Sequence, residues 1–146
     1  MTETALSGET KDSVAPATRF IKIAPGGRPY IEGYRCGGCG AVFLEPRMAC
    51  GRCGARGGFS AFEASDRGVV HTYTVVYRSY PGIKTPFISV IVDLADGLVL
   101  KGTLRGIEAK PSPQLFNLPV RMVFKPADDH KTAAGVPYVT YFFEPA

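Results

Sequence analysis

The sequence predicts a mainly-β protein, a metal-held ribbon followed by a small closed barrel, on three observations. All four cysteines fall in two copies of Cys-x-x-Cys-Gly, Cys36 to Gly40 and Cys50 to Gly54. From Phe59 onward, side chains alternate with a period of two in segments rich in β-branched and aromatic residues. Proline and glycine, 12 and 17 residues of 146, punctuate the chain and leave little room for helix.

A chain of 146 residues can hold one ordinary core plus a metal-held module too small to bury a core of its own. Residues 1–18 are polar and lack the positive-then-apolar order of a signal peptide, so they read as a disordered tail of a cytoplasmic protein. No apolar run approaches the roughly twenty residues that cross a bilayer. Residues 19–33 form a connecting segment interrupted by Pro25-Gly26-Gly27 and Pro29, with room for only a short helix before Pro25. The metal module spans 34–58 and the barrel 59–146.

Two Cys-x-x-Cys pairs place four thiolates, from Cys36, Cys39, Cys50 and Cys53, in a tetrahedral shell around zinc, with iron the chemical alternative. The glycine after each pair supplies the left-handed backbone that turns N–H groups toward sulfur. Four cysteine ligands fill the shell, whereas catalytic zinc keeps a position open, so the expected ion is structural. No cysteine remains to serve as a nucleophile. The formal charge is +4; four thiolates and a divalent ion contribute −2, which brings the folded protein to about +2.

Between the knuckles, Ala41-Val42-Phe43-Leu44 predicts a strand that Pro46 ends. Val69, His71, Tyr73, Val75 and Tyr77 alternate with their neighbours as one long strand. Phe87 to Leu94 predicts a second, and Asp96-Gly97 a tight turn into Leu98-Val99-Leu100. Val120 to Phe124 and Tyr138 to Phe143 complete the set. Gly106 to Leu118 is a connection with a short helix, and Ala127 to Val136 a polar loop. Five strands with two longer connections suit an OB-type barrel, with a two-layer sandwich as the other fold.

Catalytic candidates are sparse. His71 and His130 are the only histidines, and neither sits in a nucleophile motif; His71 reads as packed or hydrogen-bonded, His130 as solvated. Asp66, Asp93 and Asp96 lie near turns or strand ends, where solubility explains them. Neither a Walker-type nor a dinucleotide glycine motif is present. These residues argue against an independent enzyme.

The order of motifs resembles the zinc-ribbon/OB-fold proteins associated with acyl-CoA enzymes. The points of resemblance are Cys36-x-x-Cys39-Gly40, Phe43 with Pro46-Arg47, and Cys50-x-x-Cys53, then Gly68 to Val76, Pro86-Phe87, Asp96-Gly97 and Leu118-Pro119-Val120. Glu45 and Gly51 depart from the prolines expected there, and neither is a ligand position. The resemblance implies a rubredoxin-like zinc ribbon followed by an OB-fold, in a non-catalytic partner of a thiolase-fold catalytic subunit. Such a partner helps bind the CoA thioester, and Arg47, Arg78 and Lys84 are the candidates to contact CoA phosphates or the partner.

The competing class is a single-stranded nucleic-acid-binding module, with Tyr73, Tyr77, Tyr80 and Phe87 stacking on bases and arginines following the backbone. Modest charge and the strand periodicity of these aromatics, which core packing explains, stand against it. A rubredoxin-like electron carrier predicts a coloured iron protein.

Overall fold

The computed structural model describes residues 15–146, the side chains of 127–130 aside. Among these residues the regular structure is all strand apart from one short 3-10 turn, and no helix is long and apolar enough to cross a membrane. It divides into two compact units, Glu32–Val123 with Tyr141–Ala146, and a smaller one of residues 15–31 with Phe124–Thr140.

The larger unit holds the ribbon and most of the barrel. Its ribbon sheet is built on β3 (Pro29–Cys36), which pairs antiparallel with β4 (Val42–Phe43) and with β5 (Phe59–Glu63). The first barrel-side residues after the knuckles thus belong to the ribbon's sheet. The barrel follows with β6 (Arg67–Val76), β7 (Phe87–Leu94), β8 (Val99–Leu104), β9 (Pro119–Lys131) and β10 (Pro137–Pro145). β7 lies between β6 and β8, β9 pairs with β6, and the end of β10 meets β8 in parallel at Phe143 and Leu104. Pairing of β9 with β10 closes the five strands into a barrel, where edges are abolished.

The core follows from the pleat. Ile88, Val90, Val92 and Leu94 are buried from β7, facing Val70 on β6, Leu100 and Leu104 on β8, Val120 and Met122 on β9 and Phe143 on β10. A β-bulge between Val70 and Thr72 breaks the single alternation expected for this strand. Val70 pairs with Val92, but beyond the bulge Tyr73 pairs with Val90 and Val75 with Ile88. The extra residue, His71, leaves the core phase and is exposed. Its Nδ1 lies 2.9 Å from the Asp93 carboxylate.

Ribbon and barrel meet through the β7–β8 turn. Leu98 is buried there, and a Cβ added to Gly33 of β3 would lie 2.6 Å from Leu98 Cδ1 and 2.7 Å from Phe62 Cζ. Only a residue without a side chain fits the space between β3 and the turn.

In the smaller unit, β2 (Ile21–Ile23) pairs antiparallel with Pro29, Tyr30 and Ile31 across a turn closed by Ala24 and Arg28. The short helix expected before Pro25 is therefore a strand, because Ile21 and Ile31 bury their side chains as a hairpin pair. β1 (Ala15–Pro16) pairs in parallel with Tyr138 and Val139, so the last residues of the expected tail are ordered by backbone pairing. Residues 1–14 lie outside the described residues. The first half of the loop expected over Ala127 to Val136 is strand: β9 continues to Lys131, and the turn is confined to Thr132–Val136. The short helix expected in the 106–118 connection is a 3-10 turn at Pro113–Leu115, capped by the Ser112 hydroxyl, which accepts from Gln114 N–H.

Candidate metal centre

The two knuckles repeat one backbone design. In the first, Cys36 N–H donates to Ala41 O at 2.8 Å and Gly40 N–H to Cys36 O at 2.9 Å. In the second, Cys50 N–H donates to Ala55 O at 2.8 Å and Gly54 N–H to Cys50 O at 2.9 Å. Gly40 and Gly54 carry φ of 80° and 79°, the left-handed region where a Cβ is penalised, which is why glycine closes each motif.

This folding brings all four cysteine sulfurs within 4.8 Å of one another. Cys36 and Cys53 Sγ are 3.7 Å apart, and Cys39 and Cys50 Sγ 3.6 Å. Tetrahedral zinc with Zn–S of about 2.3 Å requires sulfurs about 3.8 Å apart, close to the spacing of these two pairs. Gly38 sits against this shell, where an added Cβ would lie 3.5 Å from Cys53 Sγ.

Backbone donors prepare the sulfurs for negative charge. Gly38 N–H points at Cys36 Sγ at 3.4 Å; Arg52 and Cys53 N–H point at Cys50 Sγ at 3.3 and 3.4 Å. The N–H of Cys53, followed by that of Arg52, draws the Cys50 thiol down to about 6 against desolvation. For Cys53 the N–H of Ala55 acts downward, but desolvation and the sulfurs of Cys36, Cys39 and Cys50 outweigh it and push the thiol up to about 11. Without a cation the neighbouring sulfurs hold Cys53 protonated; a divalent ion removes that resistance. The four-cysteine site fits structural zinc, and a four-sulfur shell leaves no open position for substrate.

The other candidates are scattered. Arg47 lies over the Phe43 ring at 4.4 Å, fixed to the ribbon by cation–π attraction. Arg78 and Lys84 stand on the β6–β7 loop, both exposed. Asp96 is structural, accepting N–H bonds from Ser65 and Leu98. Asp66 forms a solvent-exposed pair with Arg67. The side chain of His130 lies outside the described residues.

The aromatics divide in a way that sequence periodicity does not reveal. Tyr73 and Phe87 are half-buried, and the Tyr73 hydroxyl accepts a hydrogen bond from Ser112 N–H at 2.8 Å. Tyr77 and Tyr80 are exposed, so core packing does not account for them. The bulge at His71 shifts the phase of the strand, and β6 ends at Val76 before either residue.

Comparison with known proteins agrees with this architecture. Residues 24–59 match the ChsH2 rubredoxin-like zinc ribbon domain family, and residues 62–125 match the ChsH2 C-terminal OB-fold domain family. The benzoylsuccinyl-CoA thiolase subunit BbsA of Geobacter metallireducens is 36% identical over 81 residues, 56% of this chain and 54% of the relative. The chain thus spans about half the length of that relative. BbsA of Thauera aromatica is 27% identical over 120 residues, 82% of this chain and 79% of the relative. A DUF35 domain-containing scaffold protein of Methanocaldococcus jannaschii is 28% identical over 97 residues, covering 65% of this chain and 67% of that protein. A chain of the solved Ltp2-ChsH2(DUF35) aldolase superposes with a TM-score of 0.61 at 25% identity, over 80% of this chain and 84% of its own. With both ChsH2-type domains present in order and the four cysteines gathered in the first, the chain belongs to the ChsH2-type family of zinc-ribbon/OB-fold proteins.

Proposed function

We propose that this chain is the non-catalytic, zinc-binding accessory subunit of a thiolase-fold acyl-CoA enzyme. The observation that carries this reading is a ribbon and barrel of the ChsH2 type, largely within one unit, whose metal shell is closed by four sulfurs. All four cysteines sit in that shell, so a thiolate nucleophile comes from the partner subunit. The similarity to BbsA thiolase subunits, to a DUF35 scaffold protein and to the Ltp2-ChsH2 aldolase supports it. Within this class we read the chain as a counterpart of the small subunit of benzoylsuccinyl-CoA thiolase, acting in anaerobic aromatic (toluene) degradation.

The contribution of such a subunit is proximity and orientation. A CoA thioester needs a narrow, partly apolar channel for pantetheine and cations for its phosphates. Arg47, held on the ribbon by Phe43, and the loop cations Arg78 and Lys84 are our candidates for contact with CoA or with the partner.

Affinity purification of the tagged chain from its native cells tests the reading, with the bound protein identified by mass and assayed for CoA-dependent acyl cleavage. The expected product is a thiolase-fold subunit whose activity requires this chain. The competing reading, a single-stranded nucleic-acid-binding module, draws support from the exposed Tyr77 and Tyr80 beside cations. Recovery of nucleic acid, released steeply by salt and with no acyl-CoA enzyme, would favour that reading.

A further inference from the structure

The loop between β6 and β7 contains a hydrogen-bonded turn and displays apolar side chains to solvent. Ile83 N–H donates to Tyr80 O at 3.1 Å, and Gly82 between them has φ of 90°. With Pro81 before that glycine, the four residues form a type II turn. Tyr77, Tyr80 and Ile83 are 62%, 81% and 50% exposed. Single exposed apolar residues are ordinary, but three within seven positions, two of them the ends of one hydrogen-bonded turn, make a local apolar tip.

Along the sequence, the charge flanking this tip has one sign. Arg78 and Lys84 bracket it, and from Arg67 to Val92 the sequence holds no aspartate or glutamate. Exposed tyrosines with an apolar neighbour at the centre and an arginine at the edge match the composition of a protein-binding anchor. A nucleic-acid track offers aromatic faces and a line of cations to successive phosphates. Here an isoleucine replaces one face, and two cations flank an apolar centre.

We propose that the Tyr77–Lys84 turn is a docking arm for the catalytic subunit, seated in an apolar groove with an acidic rim. This rests on the accessory-subunit reading and deepens it, assigning Arg78 and Lys84 to the partner rather than to CoA. The cations steer encounter and the three apolar tips hold the complex.

The test uses the full chain, zinc-loaded, titrated against the purified thiolase-fold subunit, with complex formation measured by calorimetry at low and high salt. Tyr80→Ser combined with Ile83→Ser is expected to weaken binding at least tenfold with zinc content and melting temperature unchanged. Arg78→Gln with Lys84→Gln is expected to weaken binding at low salt and to remove most of its salt dependence. Because all four side chains are exposed, these variants should fold. Wild-type affinity in both double variants overturns the docking arm while leaving the accessory reading intact. If the unaltered chain binds no thiolase-fold subunit, or if it binds single-stranded nucleic acid and the tyrosine change abolishes that, both fall.

Discussion

Asp96 and Ser65 stand 31 positions apart in sequence, yet the Asp96 carboxylate accepts the Ser65 N–H at 2.6 Å. Its other oxygen accepts Leu98 N–H at 3.0 Å. One side chain thereby ties the segment leaving the ribbon's sheet to the first hairpin turn of the barrel. Ala95 N–H adds a bond to Arg67 O at 2.9 Å beside it. Hydrogen bonds to a charged acceptor are among the stronger ones in folded proteins. Asp96→Ala should therefore lower unfolding free energy by about 2 kcal/mol. Denaturant titration checks this, and Asp96→Asn, which keeps one acceptor oxygen, should lose less.

The close approach at Gly33 makes a second prediction. Gly33→Val puts a side chain where Leu98 and Phe62 already lie within 3 Å of a Cβ. Overpacking of this kind costs about 1–3 kcal/mol, and both partners are anchored in their own elements. The variant should melt earlier than wild type, and a companion Leu98→Ala should recover part of the loss by opening the space.

Removal of the metal should act first on the ribbon. Chelation leaves four thiols crowded within 4.8 Å and removes the ion that holds the two knuckles together. Trypsin is then expected to cut at Arg47, Arg52 and Arg56 well before the barrel is digested. Cys50→Ser should give the same pattern and a protein without stoichiometric zinc. Protection of those three sites in the metal-free chain would contradict a structural role for the ion.

Tyr141 supplies a pH dependence. Its hydroxyl donates to the Lys101 carbonyl, and burial pushes the phenol up from 10 to about 12. The folded state holds the proton more tightly than the unfolded chain, so this contribution is fully present below pH 10 and is lost as pH rises through about 12. Tyrosinate absorbance titrated against pH should show a late-ionising component that Tyr141→Phe removes.

Much of this architecture was legible because the signals are local. The knuckles need only Cys-x-x-Cys-Gly spacing, the β7–β8 hairpin is marked by Asp96-Gly97, and Phe87 to Leu94 coincides with β7. What escaped the sequence depends on pairing between distant strands. No residue type announces the bulge at His71, so one uninterrupted alternation places Tyr77 in the core phase when β6 has already ended. The polar run after Ala127 reads as a loop, yet its backbone is strand as far as Lys131, because pairing of β9 with β10 satisfies its hydrogen bonds whatever the side chains. The N-terminal part of the chain looked like a free tail for the same reason: Ala15 and Pro16 are held through backbone groups on β10. The candidate site divides similarly, with the sulfur cluster visible in spacing and the exposure of Tyr80 visible only in the fold.

The measurement that tests the central claim most directly is acyl-CoA cleavage by the purified thiolase-fold subunit, assayed alone and with this chain added back in stoichiometric amount. The accessory-subunit account predicts little turnover alone, restoration by the zinc-loaded chain, and no restoration by the Cys50→Ser chain. Full activity without this chain, unchanged on its addition, would contradict it.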